Sequence, residues 1–405
     1  MKNIILFDSL NRDQLLPLTL LKPICELRVG ILTIREKWEK LLDTQAAFIT
    51  QDYLSDKYSI QVSGDNLVIN GAILPDQELL TAIDLLSYGE ALISGDVLIA
   101  ARLDRTQFEE LVHTDDVNDL MGIEYKGTLH SLEHPEDIFL KNAEQIAFDF
   151  ELLTEGKRSQ ALSDTNTVLG THPIFIEKEA SVECTVLNAS DGPIYIGKHA
   201  TVMEGSFIRG SFALCEHATI KMGAKIYSGT TVGPHCKVGG EVNNTVFQAY
   251  SNKGHDGFIG NSVVGEWCNI GADTNISNLK NNYAPVKLWS YTDQRFRPTG
   301  LQFCGLILGD HSKCGINTMF NTGTVVGVSA NIFGANFPRN FIPSFSWGGA
   351  AGMKTFTINK ALETAEAMMN RRGVVLSDID KAIMTHVFEQ DASFRTWEPS
   401  KSSVN

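Results

Sequence analysis

The stretch Ala249-Tyr250-Ser251-Asn252-Lys253-Gly254-His255-Asp256-Gly257-Phe258 sets one imidazole between two glycines. A neutral imidazole, which ordinarily titrates near ~6.5, can take up or give a proton near neutral pH. A positioned base of this kind typically supplies ~10²–10⁴-fold. Backbone N–H groups freed at Gly254 and Gly257 could hold the oxyanion that develops in the same step. His255 is therefore the leading candidate for proton transfer.

His199, His217 and His235 recur at a spacing of 18. If one turn of the fold takes that many residues, the three stack along one corner. A shared metal would need their nitrogens within ~2.0–2.1 Å of one ion, whereas neighbouring strands lie ~4.8 Å apart. The spacing favours exposed corner residues over a metal ladder. His311 falls at a corner too.

The elements that must position these residues announce themselves by a period of six. Ile196, Val202, Ile208, Leu214, Ile220, Ile226, Val232 and Val238 follow one another without a gap. Ala200, Ser206, Ala218, Ala224, Thr230 and Cys236 supply small side chains four residues after an aliphatic. The series slips, resumes at Phe258, Val264, Ile270 and Ile276, slips again, and resumes from Leu308 to Ile332. Such a step fits neither the 3.6-residue turn of an α-helix nor a single hairpin. It marks a parallel β-helix, in which each short strand lays one aliphatic on an inner stack. His255 falls where the series first slips, and residues 278–303 interrupt it a second time.

Composition narrows the function classes. A formal charge of −14 argues against non-specific nucleic-acid binding and against attraction to an anionic membrane surface. Anionic substrates must be met by local Lys and Arg. The seven cysteines are scattered, with no CxxC pair, and several fall on repeat positions that call for small buried groups; they read as reduced core thiols. The opening apolar run, Ile4 to Phe7, is too short for a signal segment, and no run approaches the ~20 residues of a membrane span. A cytoplasmic protein is expected.

Ahead of the repeats, Ile4–Phe7 reads as a buried strand and 33–42 as an amphipathic helix. Apolar runs at 66–69, 91–93 and 97–101 complete an α/β layer over residues 1–150. Residues 151–170 form a linker, helical from 142 to 158 across the junction. The β-helix covers 171–345, and a helical extension covers 346–405. Within the extension, helices at 358–369 and 379–388 flank Arg371-Arg372-Gly373, and the first is expected to cap the open end of the solenoid.

Leu15-Leu16-Pro17-Leu18-Thr19 with Pro23, and Ser94-Gly95-Asp96-Val97, resemble the sugar-phosphate nucleotidyltransferases. The resemblance implies transfer from UTP or dTTP to a hexose 1-phosphate, with Mg²⁺ held by Asp96. The glycines of that family's phosphate turn are absent, and Gln14 and Ile24 stand at its Arg and Lys. Arg12, Lys22 and Arg28 are near enough in sequence to substitute.

The repeat region resembles the hexapeptide-repeat transferases, which implies a left-handed helix. The whole layout is similar to the bifunctional N-acetylglucosamine-1-phosphate uridylyltransferase/glucosamine-1-phosphate N-acetyltransferase family, with a reduced first domain. His255 falls on that family's catalytic base, Phe258 on a Tyr and Asn278 on a substrate-contacting Asn. Tyr227 and Asn243 stand in place of its two phosphate-gripping cations, which are absent here, with Lys225 and Lys253 close by. The resemblance implies acetyl-CoA as co-substrate, with Arg339, Lys354, Arg371 and Arg372 as candidates for its phosphates. It also implies an amino sugar phosphate as acceptor, a homotrimer, and a place in making sugar-nucleotide precursors. The alternatives are a metal-dependent lyase like the γ-class carbonic anhydrases, which share the fold, and a non-catalytic scaffold.

Overall fold

A computed structural model describes residues 3–114 and 120–398. These divide into two compact units. One comprises the chain up to residue 15, residues 22–27 and 32–134; the other comprises 16–21, 28–31 and the chain from 135 onward.

In the first unit the apolar run forms β1 (Asn3–Phe7), whose Ile4, Ile5 and Leu6 are buried. It pairs in parallel with β2 (Ala46–Ile49) on one side and β3 (Asn66–Asn70) on the other. A strand covered on both faces needs such a continuous apolar run. β4 (Glu90–Ser94), β5 (Val97–Leu103) and β6 (Met121–Glu124) extend the sheet in the order β2-β1-β3-β5-β4-β6, with β5 antiparallel to its neighbours. Helix α1 (Ile34–Leu42) starts at Thr33 through a capping box. The Glu36 N–H donates to Thr33 Oγ1 at 3.1 Å and the Thr33 N–H to Glu36 Oε2 at 2.7 Å, which satisfies two orphan donors at once.

The second unit is a left-handed parallel β-helix. The eight aliphatics from Ile196 to Val238 are at most 3 % exposed and share one core cluster. The small residues between them are buried beside them, so the period of six is the step from one face of the coil to the next, and residues 18 apart stack. Register confirms coils of 18 residues early on, as in Thr201 opposite Thr219 and Phe212 opposite Thr230. The coils then shorten: Lys225 lies opposite Glu241, Val232 opposite Phe247 and Val238 opposite Lys253. Strand Glu241–Phe247 bends through a corner without a break to save those residues. Further on, residues 278–303 leave the wall as a loop carrying an antiparallel hairpin, Lys287–Ser290 with Arg295–Pro298.

Helix α2 (Asp137–Thr154) lies along one solenoid face, where the sequence suggested a connector. Thr167–Gly170 already pairs with Val186–Ala189 as a coil strand. The short segment Arg28–Ile31 is held between α2 and the coils. Gly30 N donates to Asn142 Oδ1 at 2.7 Å, Ile31 N to Asp149 Oδ2 at 2.7 Å, and Arg28 N to Gln248 Oε1 at 2.6 Å. Gly30 has φ +86, and a Cβ there would meet Asp149 Oδ2 at 2.4 Å, so only glycine fits.

Two helices close the chain, α3 (Ile358–Asn370) and α4 (Asp378–Gln390). The capping contacts on the last coil come from α4 and the turn after it, correcting the expectation that the first helix caps the end. Phe388 packs edge-on against Phe345, and Phe394 against Tyr291 and Phe341. Asp391, also there, is buried and accepts from Ser344 Oγ at 2.5 Å.

Burial pushes the Asp391 carboxyl up to about 6, against the opposing pull of Ser344 and Arg395. Its proton is then bound more tightly folded than unfolded. The stability this contributes is full below the ordinary carboxyl range near ~4 and is lost as pH rises through the folded value. Asp391→Asn keeps an acceptor for Ser344. In thermal melts it is expected to raise Tm at neutral pH by ~2–6 °C, with the gain vanishing near pH ~4.

All seven cysteines are free thiols, and only Cys184 is exposed. Among the described residues no helix is long and apolar enough to cross a membrane.

Candidate functional site

Within the second unit, a cleft of about 860 Å³ runs between α3 and the solenoid strands Lys237–Val238, Asn252–Lys253 and Lys313–Cys314. His255 is exposed at its rim, where a smaller pocket of about 410 Å³ continues past Asp256 and Asp273. The backbone beneath the imidazole is locked. Lys253 Nζ donates to the carbonyls of Gly239 at 3.1 Å and His255 at 2.8 Å. A Cβ on Gly240 would meet the His255 and Gly257 oxygens at 2.8 Å, and one on Gly257, φ +112, would meet Thr274 O at 2.1 Å. The histidine loop is thus a tight turn with its side chain left outside.

Lys253 corrects the sequence expectation. It was expected to reach substrate, but it lies opposite Val238, an inner-stack position, and is 1 % exposed. Burial brings its ammonium down to about 8, with Asp256 pulling the other way. It is a positioning residue for the His255 backbone.

The cleft is strongly cationic. Arg371 and Arg372 follow the end of α3 and face Lys221, Lys237 and Lys313 across the space. Arg372 Nη2 donates to Asn252 Oδ1 at 3.0 Å. The Lys237 ammonium is pulled down, chiefly by the Arg372 guanidinium, then by burial and by Lys221 and Arg371. Burial brings Lys313 down to about 8. Cations that repel one another this closely are relieved by a bound polyanion. Sequence reading had Arg371 and Arg372 but missed Lys221, Lys237 and Lys313. Each lies on or beside a coil strand, and only the position of α3 reveals their shared space. Arg339 lies elsewhere, in a separate cleft with Lys280 and Lys287.

Around the next corner, the sheet face that starts after His255 carries the other candidates. Lys225, Glu241 and Phe258 stand in register on adjacent strands, as do Asn243 and Gly260. Lys225 and Tyr227 are exposed. Asn278 Nδ2 donates to Asn261 Oδ1 at 2.8 Å. A Cβ on Gly260 would sit 2.6 Å from Asn278 Nδ2 and 2.8 Å from the Phe258 ring, so these two side chains converge over that glycine. Glu241, beside Lys225, had gone unnoticed.

The histidine corner extends further than its spacing indicated. His199, His217 and His235 stack at 4.7 and 4.8 Å, and the pile continues through Tyr250, Trp267 and His311. The imidazoles are within 15° of parallel, so their in-plane lone pairs do not converge on one ion. This geometry disfavours the lyase alternative.

In the first unit, Arg12 and Lys22 are buried, which corrects their expected role as exposed phosphate grips. Arg12 Nε lies 3.3 Å from Asp8 Oδ2, and its Nη2 donates to Tyr53 OH at 2.6 Å. Asp8 also accepts from Ile24 N at 2.8 Å and Thr50 Oγ1 at 2.6 Å. The turn that would cradle phosphate is closed by this network. Asp96 is exposed in the tight turn between β4 and β5, where Gly95 N donates to Glu124 Oε1 at 3.1 Å. Asn70 Nδ2 donates to Leu98 O at 3.1 Å, so that turn lies near the edge where β1 and β3 end. Among the described residues no group of three His, Cys, Asp or Glu could hold a metal ion. Asp96 and Glu124 suit Mg²⁺ only in the way Mg²⁺ is usually bound, by one or two carboxylates plus substrate phosphates.

An α/β unit ahead of a hexapeptide-repeat solenoid, with a histidine loop set into a shortened coil, defines the class. A family model for sugar nucleotidyl transferases matches residues 4–158. The chain is 26% identical over 289 residues to the bifunctional protein GlmU of Methanococcus maripaludis strain C5, covering 68% of this chain and 62% of that protein. It is 26% identical over 162 residues to a bifunctional sugar-1-phosphate nucleotidylyltransferase/acetyltransferase of Sulfurisphaera tokodaii, covering 40% and 39%. It is also 26% identical over 160 residues to the uncharacterized acetyltransferase YaiX of Escherichia coli O6:K15:H31, covering 38% and 69%. The chain thus spans under two thirds of the length of the Methanococcus relative. Over these stretches it is similar to the GlmU-like bifunctional proteins.

Proposed function

We propose that the solenoid transfers the acetyl group of acetyl-CoA to the amine of an amino sugar phosphate of the glucosamine 1-phosphate type, with His255 as general base. One observation carries this reading. His255 stands at the rim of a cleft in which Lys221, Lys237, Lys313, Arg371 and Arg372 gather on a chain of net charge −14. The phosphates of acetyl-CoA lie against Arg371 and Arg372, with the thioester toward the rim. His255 takes a proton from the amine as its nitrogen attacks the thioester carbonyl. The C–S bond then breaks, and the thiolate leaves with the proton returned by the imidazolium. Phe258, Asn278 and Tyr227 hold the sugar, and Lys225 and Asn243 its phosphate. Phe207 and Tyr227, both exposed on the acceptor face, suit cover by a neighbouring solenoid in a homotrimer.

A second reading concerns the first unit and is favoured by the family match over residues 4–158. It transfers a nucleotidyl group from UTP or dTTP to a hexose 1-phosphate, releasing pyrophosphate. Asp96 and Glu124 would hold Mg²⁺ beside the triphosphate, and the ion would neutralise charge on the transferring phosphoryl group. With Arg12 and Lys22 buried, the substrate's own metal carries more of that task than in relatives with a cationic turn. A cytoplasmic location fits both readings.

Mass spectrometry of the full chain incubated with acetyl-CoA and glucosamine 1-phosphate is expected to find the N-acetylated sugar phosphate. No acetylated product from any hexosamine phosphate would overturn the first reading. No pyrophosphate from UTP or dTTP with Mg²⁺ and hexose 1-phosphates would overturn the second.

A further inference from the structure

A second cleft, of about 1170 Å³, opens within the solenoid unit between the hairpin of residues 287–298, the last coils and residues 393–397. Its contents are unusual for this chain. None of its lining residues is Asp or Glu, although the protein carries 48 acidic residues against 34 basic ones. Lys287 and Arg339 line it, both exposed, and neither makes an ion pair among the described residues. Phe296 and Phe337 line it at 40 % and 48 % exposure, with Trp397 beside them. Trp289 is held in the wall by stacking on Phe341 at 4.3 Å, and its buried indole N–H has no acceptor among the described residues. Open aromatic faces and unpaired cations in one concave space call for a ligand that is planar at one end and anionic at the other.

We propose that this cleft binds a nucleoside phosphate, with the base against Phe296 and Phe337 and the phosphates at Lys287 and Arg339. The site is separate from the His255 cleft and does not rest on acetyl transfer. Two sources share the chemistry: a free or sugar-linked nucleoside diphosphate, and the nucleotide half of CoA.

Titrations of the full chain with UDP, ADP and CoA, read by calorimetry and by tryptophan fluorescence, distinguish them. The Lys287→Ala/Arg339→Ala protein is expected to weaken binding at least ~10-fold for the true ligand, since two charge-assisted contacts go at once. His255→Ala should leave that affinity unchanged. A loss for UDP and ADP assigns free nucleotides, and a loss confined to CoA assigns the cofactor half. Because the first unit can also take UDP and the His255 cleft CoA, both titrations are fitted to two sites, one of which the double variant removes. Phe296→Ala/Phe337→Ala should weaken binding as well, without changing net charge. If both double variants keep every wild-type affinity, or if no nucleotide binds the wild type below ~1 mM, the proposal is overturned. A protein that binds nucleotide here but makes no acetylated sugar would separate this inference from the acyl-transfer reading.

Discussion

His255→Ala is expected to lower acetyl transfer by ~10²–10⁴-fold while leaving the melting temperature and the affinity for acetyl-CoA close to those of wild type. The side chain is exposed at the cleft rim, and what holds the loop is the His255 carbonyl, not its ring. Lys253 still finds that carbonyl in the variant, and the glycines at 240 and 257 still make the turn. Removing the imidazole therefore takes away the proton acceptor alone. Release of free CoA thiol checks this. A His255→Ala protein with wild-type turnover would remove His255 from the mechanism.

Arg371→Ala/Arg372→Ala is expected to raise KM for acetyl-CoA by ~10²-fold with kcat little changed. A hydrogen bond to a charged group is worth ~1.5–3 kcal/mol, and each ~1.4 kcal/mol is tenfold, so losing two reaches that range even after allowance for screening. Both arginines lie beyond the end of α3, so the helix itself is untouched. Arg372 does lose its link to Asn252, and Lys237 is relieved of its strongest repulsion. Added salt should raise KM in wild type and much less in the variant. An unchanged KM would place the cofactor phosphates away from this cleft.

Much of the fold could be read from the sequence because a solenoid repeats its physics. One aliphatic every six residues is both the pattern and the core, and Ile196 to Val238 obey it without exception. The reading failed where the coils shorten. The step of 18 gave His199, His217 and His235 but could not extend to Tyr250 and Trp267, which join the same pile after shorter turns. Lys253 was misread for the same reason: counted from Val238 along a fifteen-residue coil, it falls on the inner stack. His255 was legible because glycines surround it. The cations facing Arg371 and Arg372 were not, because a distant helix brings them together. In the first unit, Arg12 looked available by its charge, and only the contacts of Asp8 and Tyr53 explain why it is not.

The tetrapeptide Arg28–Ile31 has a consequence for how the molecule can be made. A ribosome delivers it more than a hundred residues before Asn142, Asp149 and Gln248, the groups that will hold it. The solenoid's final closure must therefore wait for an early-made piece of chain to be gathered in. A single cut ahead of residue 135 would leave three buried polar partners short of that backbone, at ~1–3 kcal/mol each. For this protein, the sequence boundary between the two units is not a place where the chain can simply be divided.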